Sequence, residues 1–136
     1  MVKSNKANGN AFEREFCKIL ADHGFWAHNM AQNQQGQPAD VIAIKGDITL
    51  LADCKVVSGD SFSLSRMEDN QISSMRLWMQ RCHTIPQFAI RLPNGGIYMA
   101  PFPVLYVMLE NGTTRIKNDA IKEMFPRLEV WLKECE

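Results

Sequence analysis

A chain of 136 residues with 46% apolar composition is long enough to bury one core and short for two, so a single domain over residues 1–136 is expected. Its 15 Lys and Arg balance 15 Asp and Glu, which excludes a uniformly basic coat; binding a polyanion would require positive charge concentrated on one face. No apolar run approaches a membrane span, and the opening Met1–Asn10 segment, which carries Lys3 and Lys6, is polar rather than signal-like, so a cytoplasmic protein with no membrane partner is expected. Cys17, Cys54, Cys82 and Cys135 lack paired spacing and read as small buried hydrophobes rather than a zinc site or disulfide framework.

In chain order, a polar lead-in over residues 1–9 precedes a first helix. Asn10 reads as its N-cap, Glu13 as the capping-box partner and Gly24 as its stop. Phe12, Phe16, Ile19 and Leu20 form its core stripe. At about 100° per residue, Glu13 and Glu15 fall on opposite borders of that stripe, so helix geometry lets either reach a site beneath it. Residues 25–30 read as a first strand, followed by the loop Gln32–Gln37 and Pro38. The β-branched runs 39–44 and 48–57, joined by Lys45-Gly46-Asp47, read as a hairpin.

After a polar loop, Ser65 and Glu68 read as a second capping box for a helix running to about Cys82. Its apolar stripe includes Met67, Met75, Trp78, Met79 and Cys82. Gln71 falls on that stripe, where an inward-facing amide must find partners: a strand-end backbone group, or the edge of a functional site. Residues 87–92 and 97–100 read as strands joined by Pro93-Asn94-Gly95-Gly96. A short helix over 103–110 and a helical region over 118–134, broken or kinked at Pro126, complete the chain. The reading is an α+β sandwich with an αβββαβ core over residues 10–100, a central mixed sheet flanked by helices, and a C-terminal helical extension over 101–136.

The hairpin carries the chemistry. Side chains alternate along a strand, so Asp53 and Lys55 project together while Cys54 points away, and Asp40 lies on the neighbouring strand. Two carboxylates can hold a hard divalent cation that keeps several waters. A lysine beside them can activate a water or stabilise charge building on a phosphate, a constellation suited to phosphodiester hydrolysis. The bland reading is turn-proximal acids with a lysine salt bridge.

With Glu13, Asp40, Asp53, Lys55 and Gln71 in this order, the chain resembles the PD-(D/E)XK nuclease superfamily and, within it, the Holliday-junction resolvases. Gly9-Asn10-Ala11-Phe12-Glu13-Arg14-Glu15 resembles the opening helix of the archaeal resolvases, where the first acid of an acid-Arg-acid triplet is catalytic; the resemblance thereby selects Glu13. Ser61-Phe62-Ser63-Leu64 followed by Asn70-Gln71-Ile72 resembles the bacterial RecU type, whose second helix bears an active-site glutamine. The likeness covers roughly residues 8–100. It departs where Ala39 separates Pro38 from Asp40, where Asp53 replaces the usual glutamate, and in lacking a recognisable RecU-type stalk. A small phage or prophage relative would fit.

The resemblance implies a restriction-endonuclease-like fold and metal-dependent endonuclease activity on four-way or other branched DNA. Asp40, Asp53 and the backbone carbonyl of Cys54 would bind Mg²⁺, with Mn²⁺ able to substitute. Glu13 would bind through water or a second ion, Lys55 would orient the attacking water, and Gln71 would contact phosphate or the water shell. Arg14, Lys18 and Arg66 are candidates for gripping DNA phosphates, against a reading as solvated helix-face charge. A homodimer would present two sites to two strands. The alternatives are another nuclease of the superfamily, restriction-like or acting on single-strand ends, and a non-catalytic nucleic-acid-binding module of the same fold. A Cys-His hydrolase has no supporting motif.

Overall fold

The computed structural model describes residues 5–30 and 39–136, with residues 5–8 as backbone only. Lys3, the Gln32–Gln37 loop and Pro38 lie outside the described residues, as does the side chain of Lys6. Phe12, Phe16 and Leu20 are fully buried along helix α1 (Asn5–Asp22). This helix starts five residues before the cap expected at Asn10, which instead lies inside it. Extending a helix nucleated by a packed stripe costs little per residue, so the isolated capping signal was overridden. Its other end follows the glycine rule: Gly24 has φ +90°, and Phe25 N–H returns to the Leu20 carbonyl at 3.0 Å while Gly24 N–H bonds Ala21.

Strands β1 (Trp26–Asn29), β2 (Val41–Lys45) and β3 (Ile48–Val56) follow as an antiparallel meander. Gly46, at φ +58°, turns the β2–β3 hairpin. A short strand β4 (Ser61–Ser63) and a 3₁₀ turn (Leu64–Arg66) lead into helix α2 (Asp69–Arg81). Strand β5 (Gln87–Arg91) then pairs parallel to β3 and antiparallel to β6 (Ile97–Pro101), giving a five-stranded mixed sheet of order β1-β2-β3-β5-β6. Helix α3 (Phe102–Glu110), strand β7 (Arg115–Lys117) and helices α4 (Asn118–Met124) and α5 (Leu128–Glu134) complete the fold.

One sheet face packs Val41, Ala43, Leu50, Ala52 and Cys54 against the α1 stripe and Leu128 and Leu132 of α5. The other packs Leu51, Phe88, Ile90 and Tyr98 against Met75 of α2, Phe102 and Leu105 of α3, and Ile121 of α4. Residues 101–136 thus fill both cores. Pro126 breaks the last helical region, and its carbonyl accepts Met99 N–H at 2.9 Å, which covers part of the exposed edge of β6.

Three further expectations are corrected. The capping box of α2 is set by Glu68 and Gln71, because Ser65 is held in the 3₁₀ turn with its hydroxyl 2.8 Å from that of Ser63. Met79 is exposed, since the α2 stripe narrows once Met75 and Trp78 meet the sheet. Only Cys54 among the cysteines is buried.

Candidate active site

The site forms where β3 outruns its neighbour. β2 begins at Val41, paired with Ala52, so the β2-facing edge of β3 would lack a ladder partner beyond that rung. Asp40 supplies one. Its own N–H bonds the Ala52 carbonyl at 3.1 Å, its carbonyl accepts Met30 N–H at 2.8 Å, and its Oδ2 accepts Cys54 N–H at 2.8 Å. A carboxylate pinned by its own backbone and by a neighbouring amide is fixed in orientation before any ligand arrives.

Asp53 and Lys55 share the α2 face of β3 as alternation requires, while Cys54 joins the core beneath α1. Asp53 is fully buried. Its Oδ1 accepts Gln71 Nε2–H at 3.0 Å, and Gln71 Oε1 accepts Glu68 N–H at 3.2 Å. One amide therefore caps the helix and orients the acid. Lys55 Nζ lies 3.0 Å from Asp53 Oδ2, a charge contact without hydrogen-bond alignment, and among the described residues no hydrogen bond satisfies that buried oxygen.

Glu13 and Glu15, equivalent by helix period, go to different places. Glu13 reaches Asp40 and Asn29, whereas Glu15 Oε2 pairs with Arg91 Nη2 at 2.6 Å. Asn29 is a site residue that sequence reasoning missed: an asparagine ending a short strand carries no signal of its own. The three phosphate-gripping candidates are not gathered together. Arg14 is exposed beside Glu13 and Lys18 lies 3.7 Å from Asp22, while Arg66 donates to the Val56 carbonyl at 2.7 Å over the Phe62 ring.

Crowded carboxylates shift each other's protons. Burial, opposed by Lys55 and reinforced by Asp40, raises Asp53 to about 8. Burial and then Asp40 raise Glu13 to about 7. Both pKa values lie above those of an unfolded chain, so the folded state holds protons that the unfolded state has released; the stabilisation is full below about pH 4 and lost as pH rises toward about 8. The metal-free Tm should therefore fall between about pH 6 and about pH 8.5, and a divalent cation, which favours the ionised carboxylates, should raise Tm more at the higher pH. Scanning fluorimetry at both pH values checks this; an equal metal-induced shift at both would contradict it.

The residues fit a hard cation. Buried, mutually repelling carboxylates and an Asp53 oxygen lacking a hydrogen bond make an oxygen-only donor set with charge to neutralise. Among the described residues no three His, Cys, Asp or Glu side chains form a ready-made metal cage; two carboxylates and a carbonyl are the smaller set used by ions that retain water. Thiol chemistry is disfavoured: burial, then the nearby carboxylates, pushes Cys54 well up and Cys17 up, keeping both as neutral thiols.

The family model described as archaeal Holliday junction resolvase (Hjc) matches residues 4–129. Among solved structures, that of Archaeoglobus fulgidus Hjc, a Holliday junction resolvase from an archaeal hyperthermophile, superposes with a TM-score of 0.70 at 19% identity, covering 91% of this chain and 99% of that one. No curated protein sequence matches the chain.

Proposed function

The chain belongs to the archaeal Holliday junction resolvase family, and we propose that Asp40, Asp53 and the Cys54 carbonyl hold Mg²⁺, with Mn²⁺ able to substitute, for cleavage of four-way DNA junctions. Family membership makes it a Holliday-junction-resolving nuclease of DNA recombination and repair, and a metal-dependent one. The observation that carries the residue assignment is the junction of Asp40 with the outrun edge of β3, where Glu13, Asp53 and Lys55 converge.

When bound, the cation supplies Lewis-acid stabilisation of a phosphoryl oxygen and lowers the pKa of a coordinated water. The protein does the rest. Gln71 fixes the Asp53 carboxylate through Oδ1, leaving Oδ2 toward Lys55. Lys55, only 11% exposed, offers its ammonium to orient a water and to stabilise the charge that accumulates on the phosphate. Glu13, near neutral pKa and hydrogen-bonded to Asp40, is placed to accept a proton or to hold a hydrated ion. Arg14 and Arg66 are the nearest candidates for flanking phosphates.

A two-fold-related pair of sites suits a four-way junction, which is resolved by paired nicks. The apolar groove between β2 and α2 supports a second copy as its occupant. Met30, Ile42, Leu51, Leu77 and Trp78 line it, Leu77 is 52% exposed, and Met30 N–H bonds Asp40, so an interface there would tie each site to its mate.

Cleavage of a synthetic four-way junction beside matched duplex, with Mg²⁺, Mn²⁺, Ca²⁺ or chelator, tests the proposal, and the same preparation should sediment as a dimer. In that assay Glu13→Gln should lose at least about a hundredfold more cleavage than Glu15→Gln, because only Glu13 meets Asp40. The reverse ranking would place the wrong acid in the site.

A further inference from the structure

We propose that the pocket between α1 and the ends of β3 and β5 is a second phosphodiester-binding position, where Arg91 grips a DNA phosphate flanking the scissile one and Glu15 is the internal anion displaced. The proposal rests on the junction-cleaving reading above and extends it to residues outside the carboxylate cluster.

Position comes first. Arg91 ends β5, and its rung partner Val56 lies one residue beyond the Lys55–Ile90 pair. Three residues of strand rise and one strand spacing, roughly 11 Å, separate its backbone from that of Asp53, and its side chain leaves the sheet on the α1 face, the side from which Glu13 reaches Asp40. Arg66 donates to the Val56 carbonyl, so two arginines attend the same rung.

The Arg91 guanidinium is already built as an anion receptor. It lies over the Phe12 ring, 4.9 Å from the centroid, and Nη2 is 2.6 Å from Glu15 Oε2. Ala11, Phe12, Glu15, Val56 and Arg91 line a cavity of about 210 Å³ around it. Phe12 is fixed in the core, so the ring holds the guanidinium plane in place. Carboxylate and phosphate present the same pair of acceptor oxygens to that planar fork, and Glu15 occupies the position a phosphate would take.

The ion pair is also replaceable. The Glu15 side chain is 47% exposed and that of Arg91 27%, so the carboxylate is free to swing into water, and pairs of this exposure are weak. Arg91 Nε is buried without a hydrogen-bond partner among the described residues, so Glu15 does not saturate the guanidinium. Until DNA arrives, Glu15 cancels the Arg91 charge. This raises the threshold for stray anions while leaving the arginine pre-positioned.

Opposite effects are expected from the two members of the pair. Anisotropy titrations of a four-way junction and matched duplex over a salt series should show Arg91→Gln weakening binding about tenfold, with a log–log salt slope shallower by about 0.9. Glu15→Gln should tighten binding about threefold or more, because the competing carboxylate is gone. Arg91→Lys should keep the wild-type slope. Were the pair only a strut between α1 and β5, both glutamine variants would lower Tm alike and leave the slope unmoved, which overturns the proposal; weaker binding by Glu15→Gln overturns it too. If Arg91→Gln fails to fold, Glu15→Gln carries the test by its sign alone. Wild type that cuts junctions while both variants bind like wild type sinks only this inference, whereas wild type that binds no DNA overturns the functional reading with it.

Discussion

Asp40→Asn and Asp53→Asn should each slow metal-dependent cleavage of a four-way junction at least about a thousandfold, equivalent to roughly 4 kcal/mol of transition-state stabilisation. Each substitution removes one of the two charges proposed to hold the cation directly, and neither loss is made good by a neighbour. Glu13 already meets Asp40 and Asn29, and Glu15 lies beside Arg91 rather than at the carboxylate pair. The fold should survive. An asparagine at 40 still offers an oxygen to Cys54 N–H, and one at 53 still offers an oxygen to Gln71 while relieving the burial cost that raises Asp53. Single-turnover rates at saturating metal, with circular dichroism on the same samples, make the measurement. A folded variant that cuts at a near-normal rate would remove that residue from the ligand set.

The parts of this site legible in the sequence are those fixed by local period. Alternation alone placed Asp53 and Lys55 on one face, and the structure joins them at 3.0 Å. Gln71 was conspicuous because an amide on an apolar stripe needs partners, and it has two: Glu68 N–H and Asp53. Glu13 and Glu15 could not be separated by helix period. What separates them is contact with residues distant in sequence, Asn29 and Asp40 on one side and Arg91 on the other. The same limit hid the two-stranded sheet of β4 and β7. Arg115-Ile116-Lys117 is too short to show a period, and it becomes a strand only by pairing with Ser61–Ser63. That small sheet nonetheless matters, since the Leu64 N–H bond to the Thr114 carbonyl anchors the 3₁₀ turn bearing Arg66.

Lys55→Met should separate binding from chemistry. Methionine keeps a long side chain in a position only 11% exposed, so packing is largely retained while the charge 3.0 Å from Asp53 is lost. Junction affinity should fall only a few-fold, and the single-turnover rate should fall by about a thousandfold, because the ammonium acts on charge that develops in the transition state. A second consequence follows from its contact with Asp53. Lys55 is the main influence lowering that carboxyl's pKa against burial, so its removal should raise the pKa further and move the metal dependence of residual activity to higher pH. A non-catalytic binding module would behave otherwise: Lys55 would be one phosphate contact among several, and its loss would flatten the salt slope by about one counterion with no metal-dependent step to lose. Single-turnover cleavage and a salt titration on the same junction separate the two, and a variant altered only in salt slope, in a protein with no metal-dependent cleavage, would remove the catalytic role assigned to this lysine.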